Sequence, residues 1–208
     1  MAGKFITIEG SEGVGKSSNI AFIENYLRQA GKDILLTREP GGTELGEQLR
    51  GILLDARNKS ISDDTELLLM FAARAQHLDQ LIKPALAEGK WVICDRFTDA
   101  TYAYQGGGRG IPESRIETLE RWVQNDLQPD LTFLLDMPVE DGLKRAGQRS
   151  EPDRFEQEKL EFFNHVRNSY LARAQKYHAR FRVIDASPQL EAVQKQIETV
   201  LVSLLEND

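Results

Sequence analysis

The stretch "GSEGVGKS" at 10–17 holds three glycines, a lysine and a serine directly after the apolar run "KFITIE". Gly10, Gly15, Lys16 and Ser17 stand at the spacing G-x-x-x-x-G-K-S. Glycines let successive backbone N–H groups turn inward around an anion, and a following helix offers its free N–H groups and the positive end of its dipole to the same charge. Lys16 can reach the β and γ phosphates of a nucleoside triphosphate, and the Ser17 hydroxyl can ligate Mg²⁺. The expected cradle is Gly10, Ser11, Glu12, Gly13, Val14, Gly15, Lys16, Ser17 and Ser18. Glu12 is the unusual member, a carboxylate in a loop suited to anions.

Other stretches carry chemistry of the same kind. "CDRF" puts Asp95 at the end of an apolar run, where a phosphate-loop protein keeps its Mg²⁺-associated carboxylate, with Arg96 next to it. Asp95 could equally cap the next helix. "TREPGG" holds Arg38 on a turn stiffened by Pro40, with Arg50 further along; Arg38 could also pair with a surface carboxylate. "MFAAR" places Phe71 and Arg74 three apart on one helical face, with small Ala72 and Ala73 between them. Two Gly-, Pro- or Ser-containing stretches with arginine, 104–112 and 147–154, read as mobile loops. No D-x-x-G occurs, and "NKSI" has isoleucine where a guanine-reading Asp would stand, so a nucleotide-operated switch lacks its parts.

Five apolar runs must position these groups: 4–9, 33–37, 91–95, 131–136 and 181–185. They lack clean alternation, as strands covered on both faces do. Helical patterns separate them, over 17–31, 43–55, 64–88 with an interruption near Pro84, 113–126, 139–147, 156–179 and 189–206. Strands alternating with helices predict an α/β fold, a five-stranded parallel sheet with helices on both faces. Such sheets bind ligands at the carboxyl ends of their strands, where "GSEGVGKS", "REPGGT" and "DRF" would gather. The 208 residues suit one domain, and no boundary or repeat is visible.

Acidic residues outnumber basic ones, 33 to 26, and no long basic run appears, so nucleic acid is not an expected partner. The single cysteine, Cys94, permits no intramolecular disulfide and is expected as a buried thiol, which fits a reducing compartment. No run reaches the length of a membrane span, and with the phosphate loop beginning by residue 10 no signal peptide is expected. The expected location is the cytoplasm.

In order and spacing, "IEGSEGVGKS", "TREPGGTELGEQLR", "LLLMFAARAQHL", "CDRFTDATYAYQGGGRG", "PDLTFLLD" and "DRFEQEKLEFF" resemble bacterial thymidylate kinases through nearly the whole chain. The resemblance implies a P-loop nucleoside monophosphate kinase. It would transfer the γ-phosphate of ATP to dTMP with Mg²⁺, as a homodimer with a short lid at about 147–154. It implies that Glu12 faces the acceptor sugar, that Arg38, Arg50 and Arg96 surround the acceptor phosphate, and that Arg74 meets a thymine carbonyl. Thr101 and Gln105 match residues at the thymine edge, and Tyr104 one that crowds the sugar. Lys16, Arg96, Arg149 and Arg154 become the catalytic cations, and Ser17 with Asp95 the metal-associated pair. The family's thymine-stacking ring sits four residues before its arginine. Here Met70 holds that place and the ring is Phe71. Another nucleoside monophosphate kinase is the alternative enzyme.

Overall fold

The computed structural model describes residues 3–58, 60–147 and 153–206. Its sheet is built from β1 (Phe5–Glu9), β2 (Ile34–Arg38), β3 (Trp91–Asp95), β4 (Leu131–Asp136) and β5 (Phe181–Asp185). The order is β2-β3-β1-β4-β5, and every pairing is parallel. β1 is the central strand, with β3 on one side and β4 on the other. The chain therefore changes direction of winding at the carboxyl end of β1, which opens a crevice there.

Strand side chains alternate between faces. Ile6 and Ile8 of β1, with Phe133 and Leu135 of β4, join a core against α1 (Lys16–Gln29) that also holds Ile197 and Leu201. The opposite face carries Thr7, Glu9 and Thr132, all fully buried. Thr7 and Thr132 satisfy each other through hydroxyls 2.9 Å apart, so polar groups enter this face already paired.

The next helices are α2 (Glu44–Leu54), capped by the Thr43 hydroxyl accepting from Gly46 N, and α3 (Asp63–His77). The expected helix 64–88 is three pieces: α3, a π-helical turn Leu78–Ile82, and α4 (Lys83–Ala87). Pro84 has no N–H to give, and the widened turn just before it absorbs the lost bond.

The stretch 104–112 is not the mobile loop its glycines suggested. After α5 (Thr98–Thr101), residues Tyr102–Gly108 form a second π-helical turn with Tyr104 and Gln105 buried. Its glycines serve close approach: a Cβ at Gly107 would lie 2.7 Å from Ser169 Cβ. Then come α6 (Glu113–Gln124), α7 (Val139–Ala146), α8 (Leu160–Lys176) and α9 (Leu190–Glu206).

α8 begins four residues later than the pattern 156–179 indicated. Asp153 and Glu156 do form a reciprocal capping pair, Glu156 N donating to Asp153 Oδ1 at 2.9 Å and Asp153 N to Glu156 Oε2 at 3.1 Å. The pair closes one turn only, because Arg154 N bonds Leu54 O and Phe155 is buried beside Tyr104. No helix among the described residues is long and apolar enough to cross a membrane.

Candidate active site

Between β1 and α1 the chain makes the turn that the spacing called for. Gly10, Gly13 and Gly15 have φ of 141°, 73° and 86°, where a side chain would be strained. Gly13 also packs on the backbone of Gly142 in α7, which leaves no room for a Cβ on either residue. Lys16 Nζ lies back along the loop, 3.3 Å from Gly10 O and 3.2 Å from Ser11 O. Burial and nearby Arg96 lower its pKa, with Glu12, Asp95 and Glu9 opposing.

β3 ends at Asp95, and the next residue, Arg96, has φ 67°. That conformation is rare for a long side chain and needs its surroundings to impose it. Arg96 N donates to Ile8 O, and Phe97 N donates to the buried Glu9 carboxylate at 2.7 Å. Glu9 also accepts from Tyr170 OH at 2.8 Å. The peptides on both sides of Arg96 are thereby held. The guanidinium points across the crevice, with NH1 3.0 Å from Gly10 O and 2.8 Å from Tyr104 OH. Its NH2 lies 2.6 Å from Glu12 Oε1, and Tyr104 OH donates to the same oxygen at 2.8 Å.

Electrostatics follow from this triad. Burial would raise the Glu12 carboxyl, but Arg96 and Lys16 outweigh it and hold it below the usual range. Burial, with Asp99 adding to it, pushes Glu9 up to about 8. Arg96 stays strongly basic: burial works against its charge, and Tyr104 and Glu12 more than offset that.

A second buried network positions Arg74. Glu39 accepts from Arg74 Nε at 2.7 Å through one carboxylate oxygen and meets His77 Nδ1 at 3.0 Å through the other. His77 Nε2 is 2.7 Å from Thr37 Oγ1. Arg74 NH2 donates to Thr101 Oγ1 at 2.9 Å. Its NH1 is buried with no hydrogen-bond partner among the described residues. A buried cationic donor left open in this way fits a carbonyl oxygen of a bound molecule.

These groups share one cavity of about 290 Å³. Glu12, Gly13, Val14, Gly15, Lys16 and Ser17 line it from the phosphate loop. Arg50, Arg74, Asp95, Arg96, Thr101, Tyr104 and Gln105 line it from the other side. Gly10 and Ser11 contribute carbonyls to Lys16 instead, and Ser18 is exposed at the start of α1.

Three more of the expected site residues do not line this cavity. Phe71 does not reach the cavity: it is buried with Leu67, Tyr102 and Ile116, and its ring backs the Arg74 guanidinium at 4.8 Å. One residue is a rotation of about 100° on a helix, and Met70 takes the lining position. Arg38 pairs with Glu47 at 2.9 Å on a separate groove that also includes Ser17 and Asp95. Arg154 is anchored on Glu66 at 2.5 Å and on Leu53 O at 2.7 Å and does not line the cavity, although Asp153, Phe155 and Glu156 around it do. Arg149 and most of the expected lid, 148–152, lie outside the described residues.

Sequence reasoning missed Glu39 and Glu66, two buried carboxylates: Glu39 lines the cavity beside Pro40, and Glu66 lies behind the lining residue Gln105. Their only signal was charge at a position otherwise suited to the core, in "TREPGG" and "TELLLMF".

Asp95 Oδ1 is buried without a hydrogen-bond partner among the described residues, and Ser17 lies on the same cavity. A hard cation that keeps several waters and phosphate oxygens fits such a sparse oxygen pair. No cluster of three or more His, Cys, Asp or Glu side chains suited to a metal ion occurs among the described residues.

A five-stranded parallel sheet whose central strand feeds a phosphate loop, with arginines lining the same cavity, defines a P-loop NTPase fold. The thymidylate kinase family model matches residues 8–197, and the chain belongs to that family. A Pseudomonas putida thymidylate kinase is 57% identical over 99% of this chain and 98% of its own length. One from Chromohalobacter salexigens is 60% identical over 98% and 97%. The crystal structure of Ehrlichia chaffeensis thymidylate kinase superposes with a TM-score of 0.80 at 34% identity, covering 97% of this chain and all of that one.

Proposed function

We propose that this chain, as a single kinase domain over 1–208, transfers the γ-phosphate of ATP to dTMP and releases dTDP. The observation that carries the reading is Glu12. A carboxylate inside the phosphate loop is bound by Arg96 and Tyr104 on the same cavity as the open Arg74 guanidinium. One loop then serves both substrates, its backbone N–H groups and Lys16 holding the triphosphate and Glu12 facing the acceptor sugar. Family membership and relatives of that name over nearly the full chain support it.

The acceptor is already an anion, so the site needs no strong general base. It must bring two polyanions together and offset the charge on the moving phosphoryl group. Lys16 and Arg96 both reach Gly10 O and bring two cations to that region. Arg50, held by Pro40 O at 2.9 Å, lines the acceptor side. Mg²⁺ would be held by Ser17 and Asp95, and it supplies charge neutralisation and orientation of the phosphates. Arg149 is assigned the lid's charge, since Arg154 is engaged by Glu66. The enzyme is further proposed to be cytoplasmic and to work as a homodimer.

A coupled assay with TMP, dUMP, AMP, CMP and GMP as acceptors tests the reading. TMP should be turned over best, and only with Mg²⁺. Equal or faster turnover of AMP or GMP rejects it.

A further inference from the structure

α3 places Glu66 two turns before Arg74, on the side of the helix facing the π-helical turn, and leaves its carboxylate 1% exposed. It is a node with three partners. Gln105 Nε2 donates to Glu66 Oε1 at 2.8 Å. Arg109 reaches both oxygens, at 3.4 and 3.3 Å, and Arg154 NH2 reaches Oε2 at 2.5 Å. Both arginines have other partners: Arg109 meets Glu158, and Arg154 meets Leu53 O. Gln105, by contrast, lines the cavity, and Glu66 does not.

The chemistry of the contact decides which end of the Gln105 amide serves the cavity. The oxygen and nitrogen of a carboxamide are nearly the same size, so packing alone permits both orientations. A carboxylate flanked by two guanidinium groups only accepts, so it takes the amide N–H and turns the carbonyl oxygen to the free side. The cavity then presents an acceptor from Gln105 and, on the same lining, an open donor, Arg74 NH1. Thymine offers the complement, an N3–H next to a carbonyl. Cytosine offers an unprotonated N3 next to an amino group, which would meet each partner with the wrong polarity.

We propose that Glu66 is a positioning residue for base selection, fixing the Gln105 amide so that the cavity accepts an N3–H and disfavours cytosine. The inference rests on the thymidylate reading and extends it to a residue that touches no substrate. It also gives α3 a double role, because one helix then supplies the donor Arg74 directly and sets the acceptor at one remove.

The test is Glu66→Gln in the full-length protein, assayed with dTMP and dCMP at saturating ATP, alone and combined with Gln105→Ala. A glutamine at 66 keeps the shape and can either donate or accept, so it no longer dictates the Gln105 orientation. The KM for dTMP should rise and the preference for dTMP over dCMP in kcat/KM should fall about 10-fold, the size of one oriented hydrogen bond. The kcat for dTMP should change less. In the Gln105→Ala background the same substitution should add nothing further, since its effect passes through Gln105. Unchanged KM and preference, or an equal loss with and without Gln105, overturns the proposal and leaves Glu66 a fold residue. Should Glu66→Gln fail to fold, Glu66→Asp keeps the charge but withdraws it by one methylene. It should narrow the preference in the same direction, and an unaltered preference overturns the proposal. Failure of the thymidylate reading itself is separable, because it shows in the unmodified enzyme as poor use of dTMP.

Discussion

Arg96 is where local strain and chemistry coincide. Its positive φ is maintained by Ile8 O and by Glu9, and the outcome is a guanidinium shared among Glu12, Tyr104 and Gly10 O. Arg96→Ala should lower kcat by at least about 10²-fold, in the range seen when a charge-stabilising arginine is lost in phosphoryl transfer. Lysine should rescue only part of this, because it keeps the charge but not the fork that spans three partners. Steady-state kinetics with both variants check this, and near-normal kcat in the alanine variant would remove Arg96 from the chemistry. Arg149→Ala and Arg154→Ala should separate. The first should lower kcat, and the second should lower Tm more than kcat, since Arg154 is tied to Glu66 and Leu53 O. Glu9 gives a pH signature. Its carboxyl moves from an ordinary 4.5 to about 8 on burial, so the folded state holds a proton that the unfolded state releases. Between those values its contribution to stability falls as pH rises, with a slope of at most about 1.4 kcal/mol per pH unit. Glu9→Gln stays neutral throughout, so its stability relative to wild type should rise with pH across that window. Urea melts at several pH values give the comparison, and parallel slopes would show that Glu9 does not hold the proton.

At the scale of elements, all five strands and the loop after β1 were legible because buried parallel strands are short apolar runs and a phosphate loop needs glycines at fixed places. The site was legible for the same reason wherever a residue follows a strand directly, as Asp95 and Arg96 do. It was less legible where a helix rotation or a long-range partner decides. Phe71 and Met70 differ by one position, and only the packing of α3 against Tyr102 and Ile116 says which one faces the cavity. The glycines at 106–108 read as mobility because composition cannot distinguish a glycine that frees the chain from one that lets two elements touch. The π-helical turn makes that distinction testable. Gly107→Ala would put a Cβ 2.7 Å from Ser169 Cβ and 2.9 Å from His165 O, so the turn must move off α8. A cost of about 1–3 kcal/mol is expected, with the KM for dTMP rising more than that for ATP, because Tyr104 and Gln105 ride on the same turn. Gly51→Ala is the control: apart from its own helix backbone and chain neighbours, no atom of the described residues lies within 4 Å of where its Cβ would be, and it should stabilise α2 by about 0.5–1 kcal/mol. Thermal melts and kinetics on the two variants decide it, and equal behaviour would return the 104–112 segment to the status of a tolerant loop.

At the scale of the whole molecule, the cavity faces one way and a set of exposed apolar side chains lies on the helices that frame it. Leu45 and Ile52 on α2, Leu68 on α3 and Trp122 on α6 are all exposed, Trp122 at 78%. α3 packs against both α2 and α6, so the four belong to three neighbouring helices. We propose that a second copy of the chain covers these exposed side chains. The stretch "ELLLMFAARA" carries apolar residues on more than one helical face. The structure divides that surplus: Leu67 and Phe71 enter the core, Met70 and Arg74 line the cavity, and Leu68 is left outside. A dimer through this surface would bury Trp122 and leave Trp91, already 3% exposed, unchanged. Dilution from micromolar to nanomolar concentration should therefore shift tryptophan emission to the red as Trp122 meets water. Leu68→Glu should give the red-shifted spectrum at all concentrations and the light-scattering mass of one chain. Its kcat should fall as well, because α3 supports Arg74 and Glu66 on its other sides. Light scattering that shows only monomer for the unmodified protein at micromolar concentration would end this reading, and the apolar surface would then need a different partner.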